Sequence, residues 1–256
     1  MFRSITKFVS LNNKQTLIKR NIHVQYISDL HIDIKPNIPN IIPKSDLLCI
    51  CGDIGLPTHP HYDQLLFDVK NKFEKVFIVA GNHEYDCSCL YEEDLVNKYK
   101  PILVDLCKQY DNVFLLDNTV HQITPTTIIA GTTLWTNLQY ILNKYPNDPR
   151  YNEHIAEFNK NLEWIKSVLE TNHDVLMMTH FVPTFELIEP HYLSRGLGAT
   201  NWFASDLDSI IKDPIIGWIC GHTHSILEKK INGIYCGVNA LGNFSLEPAY
   251  KFVEIE

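Results

Sequence analysis

Short apolar runs alternate with amphipathic segments along most of this chain. The runs 23–27, 46–51 and 75–80 predict buried strands, because each is short and leads directly into a polar loop that contains Gly or Asp. Between the second and third runs, apolar side chains recur at the spacing of a helix, at Tyr62, Leu65, Leu66, Val69 and Phe73. This order of strand, helix and strand is typical of an α/β fold.

The second half of the chain continues the alternation. The clearest helix is predicted over 152–170, where Ile155, Phe158, Leu162, Ile165 and Leu169 share one face. Other helices are predicted from Leu95 to Leu106, strained or interrupted at Pro101, and over 204–212. Further strands are predicted at 113–116, 120–123, 126–130, 175–179 and 215–220, followed by a closing antiparallel meander of 226–231, 233–238 and 252–255.

The division into domains follows from what interrupts this pattern. The longest irregular stretches are 34–45, 136–151 and 182–203, and none resembles a linker. We therefore expect one domain over 23–256. Residues 1–22 form a basic extension without Asp or Glu, which is either a hairpin ahead of the main sheet or an organelle-targeting segment.

Composition narrows the classes of partner. The 256 residues carry a formal net charge of −8, which offers no field for general nucleic-acid or anionic-membrane binding. A membrane span is not expected, because apolar runs are soon broken by Asp, Lys or Pro. Seven cysteines without a preceding signal-peptide core favour a reducing compartment and buried free thiols at Cys49, Cys51 and Cys220. We expect a cytoplasmic protein, with organelle targeting as the alternative.

Polar clusters lie where five of the predicted strands end. They are Asp29-Leu30-His31, Gly52-Asp53, Gly81-Asn82-His83-Glu84, Thr179-His180 and Gly221-His222-Thr223-His224. In α/β sheets the carboxyl ends of the strands converge on one rim, where ligand groups meet. A purely structural role would bury several carboxylates and imidazoles without a counter-ion, which is costly.

The donor types in these clusters suit metal ions. Two Asp, one Asn and four His, apart from the general acid-base candidate His83, supply oxygen and nitrogen ligands for two cations. In Asp29-x-His31 and His222-x-His224, residues two apart project to the same side and can address one ion or two adjacent ions. Asp53 can bridge both ions with its two oxygens.

These motifs, in this order over 24–244, resemble the calcineurin-like metallophosphoesterase superfamily. The resemblance implies a four-layer αββα sandwich of two mixed β-sheets flanked by helices, with a dinuclear metal site at the rim where the strands end. It implies one metal on Asp29, His31, Asp53 and His224, and a second on Asp53, Asn82, His180 and His222. It also implies that His83 is a non-ligand histidine that protonates the leaving group or stabilises the transition state. Glu84 can help to hold the loop of His83.

Departures from the family pattern narrow the range of expected substrates. The second block, Gly52-Asp53-Ile54-Gly55, lacks the arginine of protein phosphatases and resembles bacterial-type phosphohydrolases and phosphodiesterases. Phe181 stands where many of those relatives have a second histidine, which is expected to change the pocket wall. In the loop after His180, Arg195 is a candidate substrate-binding residue, as is His59 after Asp53.

The resemblance implies a phosphoesterase that hydrolyses a small phosphomonoester or phosphodiester by attack of a metal-bridging hydroxide. Two divalent ions are expected as cofactors, Mn first and Fe or Zn as alternatives. One alternative function is a cyclic-nucleotide or other phosphodiesterase specifically. A second alternative is a non-catalytic protein-binding scaffold on the same fold, which His83 argues against because scaffold members tend to lose this histidine. The sequence does not fix the natural substrate or the oligomeric state.

Overall fold

The computed structural model of the protein describes residues 22–194, 196–242 and 249–255. The basic extension predicted at 1–22 falls outside this part of the chain except for its last residue, so the domain boundary stays a prediction. The strands are β1 (Ile22–Ile27), β2 (Leu47–Cys51), β3 (Lys75–Val79), β4 (Val113–Leu115), β5 (Thr119–Gln122), β6 (Thr127–Thr132), β7 (Asp174–Thr179), β8 (Ile215–Cys220), β9 (Ile226–Ile231), β10 (Ile234–Asn239) and β11 (Lys251–Ile255).

The helices flank these strands along the chain. They are α1 (Pro60–Lys70), α2 (Glu93–Cys107), α3 (Gln139–Lys144), α4 (Pro149–Val168), α5 (Pro190–Leu193) and α6 (Leu197–Thr200), with 3₁₀ turns at His83–Tyr85, Phe185–Leu187 and Asp208–Ile210. Among the described residues, no helix combines the length and the apolarity needed to cross a bilayer.

The strands form two mixed sheets. The first has the order β11-β1-β2-β3-β4, in which β11 is antiparallel to β1 and the other neighbours are parallel. The second has the order β5-β6-β7-β8-β10-β9, with the two edge strands antiparallel to their neighbours. This confirms the predicted α/β architecture of two mixed sheets flanked by helices.

Alternation of side chains along the strands creates the layers. In β2, Cys49 and Cys51 belong to a buried cluster that joins residues of both sheets, such as Phe77 and Met178. Their neighbours Leu48 and Ile50 belong instead to the cluster that contains the buried face of α1. Since successive residues of a strand point to opposite faces, one face of this sheet packs on the other sheet and the opposite face packs on helices. The thiols of Cys49, Cys51 and Cys220 are buried and free, as predicted.

Two sequence predictions for the second half of the chain are wrong in detail. The closing meander does not form, because β11 leaves β9 and β10 to cover the edge of β1 in the other sheet. The helix predicted over 204–212 is replaced by a bridge at Ala204 and a 3₁₀ turn, since the N–H groups of Ser205 and Leu207 donate to the carbonyls of Val182 and Pro183.

Two further differences concern helices: the predicted helix at Leu95–Leu106 forms without an interruption, and helices also form in a stretch expected to be irregular. Helix α2 continues through Pro101, because its buried face of Val96, Tyr99, Leu103 and Cys107 holds it in the core. The stretch 136–151, expected to be irregular, contains α3 and the first residues of α4. At Pro101 tertiary packing outweighs local propensity. Helix α4 instead begins with local signals, because the Asp148 side chain accepts a hydrogen bond from Arg150 N and Pro149 is the first helical residue.

His154 ties α4 to two loops and predicts a pH dependence of stability. Its Nδ1 accepts a hydrogen bond from the Tyr91 N–H at 2.9 Å, and its Nε2 donates to the Thr136 carbonyl at 2.9 Å. Burial lowers the pKa of His154 to about 4 from its ordinary 6.5. Between pH 6.5 and pH 4 the unfolded chain therefore binds more protons at His154 than the folded chain does. The unfolding free energy consequently decreases as the pH falls below 6.5.

We expect His154→Gln to weaken the pH dependence of unfolding. Between pH 7 and pH 4.5, wild type should lose about 2 to 3 kcal/mol of unfolding free energy through this residue, and the variant should not. Urea denaturation of both proteins at the two pH values measures the difference. A gap between wild type and variant that is the same at both pH values would show that His154 does not titrate with folding.

Candidate metal centre

The site lies where strands of both sheets end. Asp29 and His31 follow β1, Asp53 follows β2, and Asn82 and His83 follow β3 in the first sheet. His180 follows β7, and His222 and His224 follow β8 in the second sheet. The loops are joined by backbone hydrogen bonds, for example from His31 N to the Asp53 carbonyl at 3.0 Å and from Gly221 N to the His180 carbonyl at 2.9 Å. The structure therefore brings together all eight metal-site and catalytic candidates.

The loops hold these side chains with unusual backbone conformations. Of the seven predicted ligands, five have left-handed backbone, with φ between 46° and 70°: Asp29, His31, Asp53, His222 and His224. Such conformations are uncommon for residues other than glycine, cost on the order of 1–3 kcal/mol each, and cluster at functional sites. The surrounding packing must hold these turns in place.

Two glycines allow the loops to approach one another. Gly52 has a φ of 83°, and a Cβ there would lie 2.6 Å from His180 Nδ1. A Cβ on Gly81 would lie 2.7 Å from both Asp53 N and His180 Cε1. Any larger residue at either position would displace Asp53 or His180.

One half of the cluster centres on Asp29. His224 Nε2 lies 3.4 Å from Asp29 Oδ1, and His31 Nε2 lies 3.9 Å from the same oxygen. The two imidazole nitrogens are 2.9 Å apart. Asp29 Oδ2 accepts hydrogen bonds from Ser28 Oγ at 2.5 Å and from His222 N at 2.9 Å, which leaves Oδ1 buried without a hydrogen-bond donor.

The other half centres on His180. Its Nε2 lies 3.2 Å from Asn82 Oδ1, 3.2 Å from His222 Nδ1 and 3.4 Å from Asp53 Oδ1. Its Nδ1 contacts the Cys51 carbonyl at 2.8 Å, which fixes the ring. Asp53 faces both halves, because its second oxygen, Oδ2, lies 4.0 Å from His31 Nε2.

Burial and charge set the protonation states of the cluster. Burial lowers the pKa of His31 to about 4 and that of His222 to about 3. Burial alone would raise the pKa of Asp29 and Asp53, but neighbouring histidines hold both below the usual range. Burial also opposes protonation of His180, yet Asp53 and Asp29 raise its pKa to about 9.

These residues fit divalent cations. Ionised carboxylates and neutral imidazoles are the forms that ligate metals, so Asp29, Asp53, His31 and His222 are already in the ligating form at neutral pH. A cation bound at His180 would displace the proton that Asp53 and Asp29 favour there. In the part of the chain that the structure describes, ligand atoms within 4.8 Å of one another occur in three sets: Asp29, His31 and His224; Asp53, His180 and His222; and His31, Asp53 and His83. The buried, unpartnered Asp29 Oδ1 points to the same conclusion, because an orphaned buried oxygen is costly unless a cation or donor compensates it.

His83 and Glu84 occupy different places beside the cluster. His83 is partly exposed, and its backbone N–H donates to Asp53 Oδ1 at 2.9 Å. The His83 ring lies edge-on to that of His31, with 4.5 Å between the ring centres. The Glu84 carboxylate is buried and accepts from three backbone N–H groups, those of Asp53 at 2.9 Å, Ile54 at 2.7 Å and Gly81 at 2.7 Å. Glu84 thus joins the loops after β2 and β3.

The predicted substrate residues are placed differently. His59 caps the N-terminus of α1, where its Nδ1 accepts from His61 N at 3.3 Å, and it is not among the described residues that line the cleft at the cluster. Arg195 lies outside the described residues. Substrate binding by either residue stays a prediction.

The cleft at the cluster also contains residues that the sequence did not single out as site residues. It has a volume of about 180 Å³, and its wall includes Cys89, Ile188, Tyr192 and Phe203. Cys89 Sγ lies 3.8 Å from His222 Nε2. These side chains come from loops and, for Tyr192, from the short helix α5, where no periodic pattern marks them. The sequence pointed only to Arg195 in the segment after His180. Phe181 is fully buried and packs on the His222 ring at 4.1 Å.

Comparison with known proteins gives consistent results. A model of the calcineurin-like phosphoesterase family matches residues 22–225. The uncharacterized protein L509 of Acanthamoeba polyphaga mimivirus is 24% identical over 278 residues, which cover 91% of this chain and 96% of that protein.

Solved structures share the fold at low sequence identity. The phosphopantetheinyl hydrolase PptH from Mycobacterium tuberculosis is 16% identical with a TM-score of 0.64, over 91% of this chain and 96% of that one. A dimetal phosphatase from Danio rerio is 10% identical with a TM-score of 0.52, over 89% of this chain and 88% of that one. At such identities the likeness shows the fold alone.

The contacts of Glu84 predict a loss of stability on neutralisation. Glu84→Gln should lower the unfolding free energy by about 2 kcal/mol, because the amide NH₂ would face one of the three backbone N–H donors. Urea denaturation at pH 8 measures this loss. The matched control is Glu93→Gln, an exposed carboxylate in the first turn of α2, which should change stability by less than about 0.5 kcal/mol. Equal stability of Glu84→Gln and wild type would contradict the role of Glu84 in joining the loops.

Proposed function

Because the chain belongs to the calcineurin-like phosphoesterase family, a family of metal-dependent phosphoester hydrolases, we propose that it hydrolyses a small phosphomonoester or phosphodiester with two divalent cations bound at this cluster. One set of ligands is Asp29, His31, Asp53 and His224. The other set is Asp53, Asn82, His180 and His222.

The position of Asp53 carries this proposal. Its Oδ1 lies 3.4 Å from His180 Nε2 and its Oδ2 lies 4.0 Å from His31 Nε2, so its two oxygens face imidazoles from different halves of the cluster. A carboxylate in this position can act as a ligand that two neighbouring cations share. The hydrogen bonds from the Asp53 N–H to Glu84 and from the His83 N–H to Asp53 fix its orientation.

The cations would supply, when bound, a nucleophile at neutral pH and positive charge for the phosphate oxygens. Mn²⁺ is the cation we expect, with Fe²⁺ and Zn²⁺ as alternatives, since imidazole and oxygen donors accept all three. The chain itself would orient the phosphate through the rigid strand ends on which the ligands stand.

His83 would hold the proton for the leaving group. Its ring is partly exposed at the cleft, and its backbone is fixed to Asp53 by the 2.9 Å hydrogen bond. A protonated imidazole there can donate to the oxygen of the departing alcohol, which leaves as a neutral product. This role requires that His83 is free of metal, although its ring also approaches His31 and Asp53.

A preference for diesters is a second candidate. None of the described residues that line the cleft is lysine or arginine. A phosphodiester carries one negative charge and a monoester up to two. A diester therefore needs less positive charge from the site, and a cleft without lysine or arginine among its described residues suits it better than a monoester. The scaffold alternative is less favoured, because a binding scaffold does not require the eight converging side chains.

Removal of metal should abolish turnover. We expect metal-stripped protein to hydrolyse 4-nitrophenyl phosphate and bis(4-nitrophenyl) phosphate at least about a hundredfold more slowly than protein resupplied with Mn²⁺, Fe²⁺ or Zn²⁺. Release of nitrophenolate measures both rates, and the better ester decides between the two candidates. Undiminished rates in stripped protein would contradict metal dependence.

Two substitutions separate the proposed roles of acid and ligand. His83→Ala should keep both metals and the fold but lose about 10²- to 10⁴-fold in turnover. Asp53→Asn should lose metal and turnover together, because it removes the shared charge. Metal content per chain by elemental analysis, together with turnover, tests both.

The control is His173→Ala, at the turn before β7, which should match wild type in metal content and rate. A His83→Ala protein that has lost one of two metals would make His83 a ligand. Undiminished turnover of that variant would remove His83 from the mechanism.

A further inference from the structure

An apolar wall adjoins the predicted metal ligands in the cleft. The wall consists of Ile188, Tyr192 and Phe203, and the polar lining of the same cleft includes Asp53, Asn82 and His83. Ile188 is almost fully buried, and the two aromatic rings are partly exposed. A substrate whose phosphate lies at the metal ligands would therefore place its organic group against this wall.

The aromatic rings form a continuous row that begins at a predicted ligand. The Phe203 ring lies 5.5 Å from that of His222, and the Tyr192 ring lies 5.7 Å from that of Phe203. These separations fall within the range of favourable aromatic contacts. On its other side, His222 is backed by the buried Phe181.

The backbone holds this wall in place. Val182 N donates to the Phe203 carbonyl at 3.3 Å, and Ser205 N donates to the Val182 carbonyl at 3.0 Å, which pairs the chain around Phe203 with the segment just after β7. Phe203 N donates in turn to the Thr200 carbonyl at 2.9 Å. Phe203 is thus fixed relative to His180, the ligand at the end of β7.

Size and charge restrict what this wall can accept. The cleft of about 180 Å³ is smaller than the roughly 300–1,000 Å³ of sites for drug-sized ligands. Its described lining offers no lysine or arginine to a second anionic group. A bulky nucleoside polyphosphate matches neither property, whereas a single uncharged ring matches both.

We propose that the wall of Ile188, Tyr192 and Phe203 selects small phosphoesters whose organic group is one uncharged aromatic ring. This inference rests on the proposed phosphoesterase function and names its class of substrate. The ring of the substrate would pack against Phe203 and Tyr192 while the phosphate lies at the ligands.

The test compares alkyl esters of similar intrinsic reactivity. In metal-loaded wild-type protein, kcat/KM for benzyl phosphate should exceed that for ethyl phosphate about tenfold, since only the former contacts the wall. 4-Carboxybenzyl phosphate should lose this advantage, because its charge would be buried against apolar side chains. The corresponding methyl diesters replace these monoesters if the enzyme prefers diesters.

Variants locate the preference on the wall. Phe203→Ala and Tyr192→Ala should each reduce the benzyl-to-ethyl ratio to about threefold or less, whereas Phe203→Tyr should keep it. Phe67→Ala, which removes an exposed ring from α1, is the matched control and should also keep the ratio.

The outcomes distinguish failure of the substrate selection by the wall from failure of the proposed phosphoesterase function. Turnover of both esters with a ratio near one, or a ratio unchanged in Phe203→Ala and Tyr192→Ala, overturns the selection by the wall and leaves the phosphoesterase function intact. No turnover of benzyl, ethyl or nitrophenyl esters in protein shown to hold two ions per chain overturns both.

Discussion

The burial of Asp53 among histidines is the interaction on which the site depends. A carboxylate at this depth raises the free energy of the folded chain unless positive charge or hydrogen-bond donors compensate it. Here the compensation comes from His180 at 3.4 Å and from the His83 N–H at 2.9 Å. The compensating groups stand at the ends of strands in different sheets, so the charge of Asp53 is satisfied only when both sheets are assembled. In this way the fold and the site depend on each other.

The architecture supplies this assembly by topology rather than by local sequence. Two sheets packed face to face direct the ends of β1, β2 and β3 toward those of β7 and β8. The loops that follow are held in left-handed conformations by hydrogen bonds between loops, of which the two from Asp53 N and Ile54 N to Glu84 are an example. The packing of the core thus offsets the free-energy cost of holding polar groups close together, as is common at catalytic sites.

The strands that carry the cluster were predictable, because buried parallel strands are short apolar runs that end in polar loops. Membership of the family followed from motif residues such as Asp53 and His222, whose order along the chain is distinctive. The apolar wall was not predictable in the same way. Phe203 reaches His222, and Tyr192 reaches Phe203, only through the path of the long segment after β7. The pairing of that segment with Val182 has no periodic signature. The position of β11 escaped prediction for a related reason, since a strand's local pattern does not say which sheet edge it will join.

Sharing of Asp53 by two cations would leave a signature in the metal ions themselves. Two Mn²⁺ ions joined by a common ligand are spin-coupled, so electron paramagnetic resonance of the protein loaded with two equivalents of Mn²⁺ detects it. We expect a coupled spectrum in wild-type protein, with loss of the coupling in Asp53→Asn. A spectrum of isolated Mn²⁺ ions in wild-type protein at full loading would show that the two cations do not share Asp53.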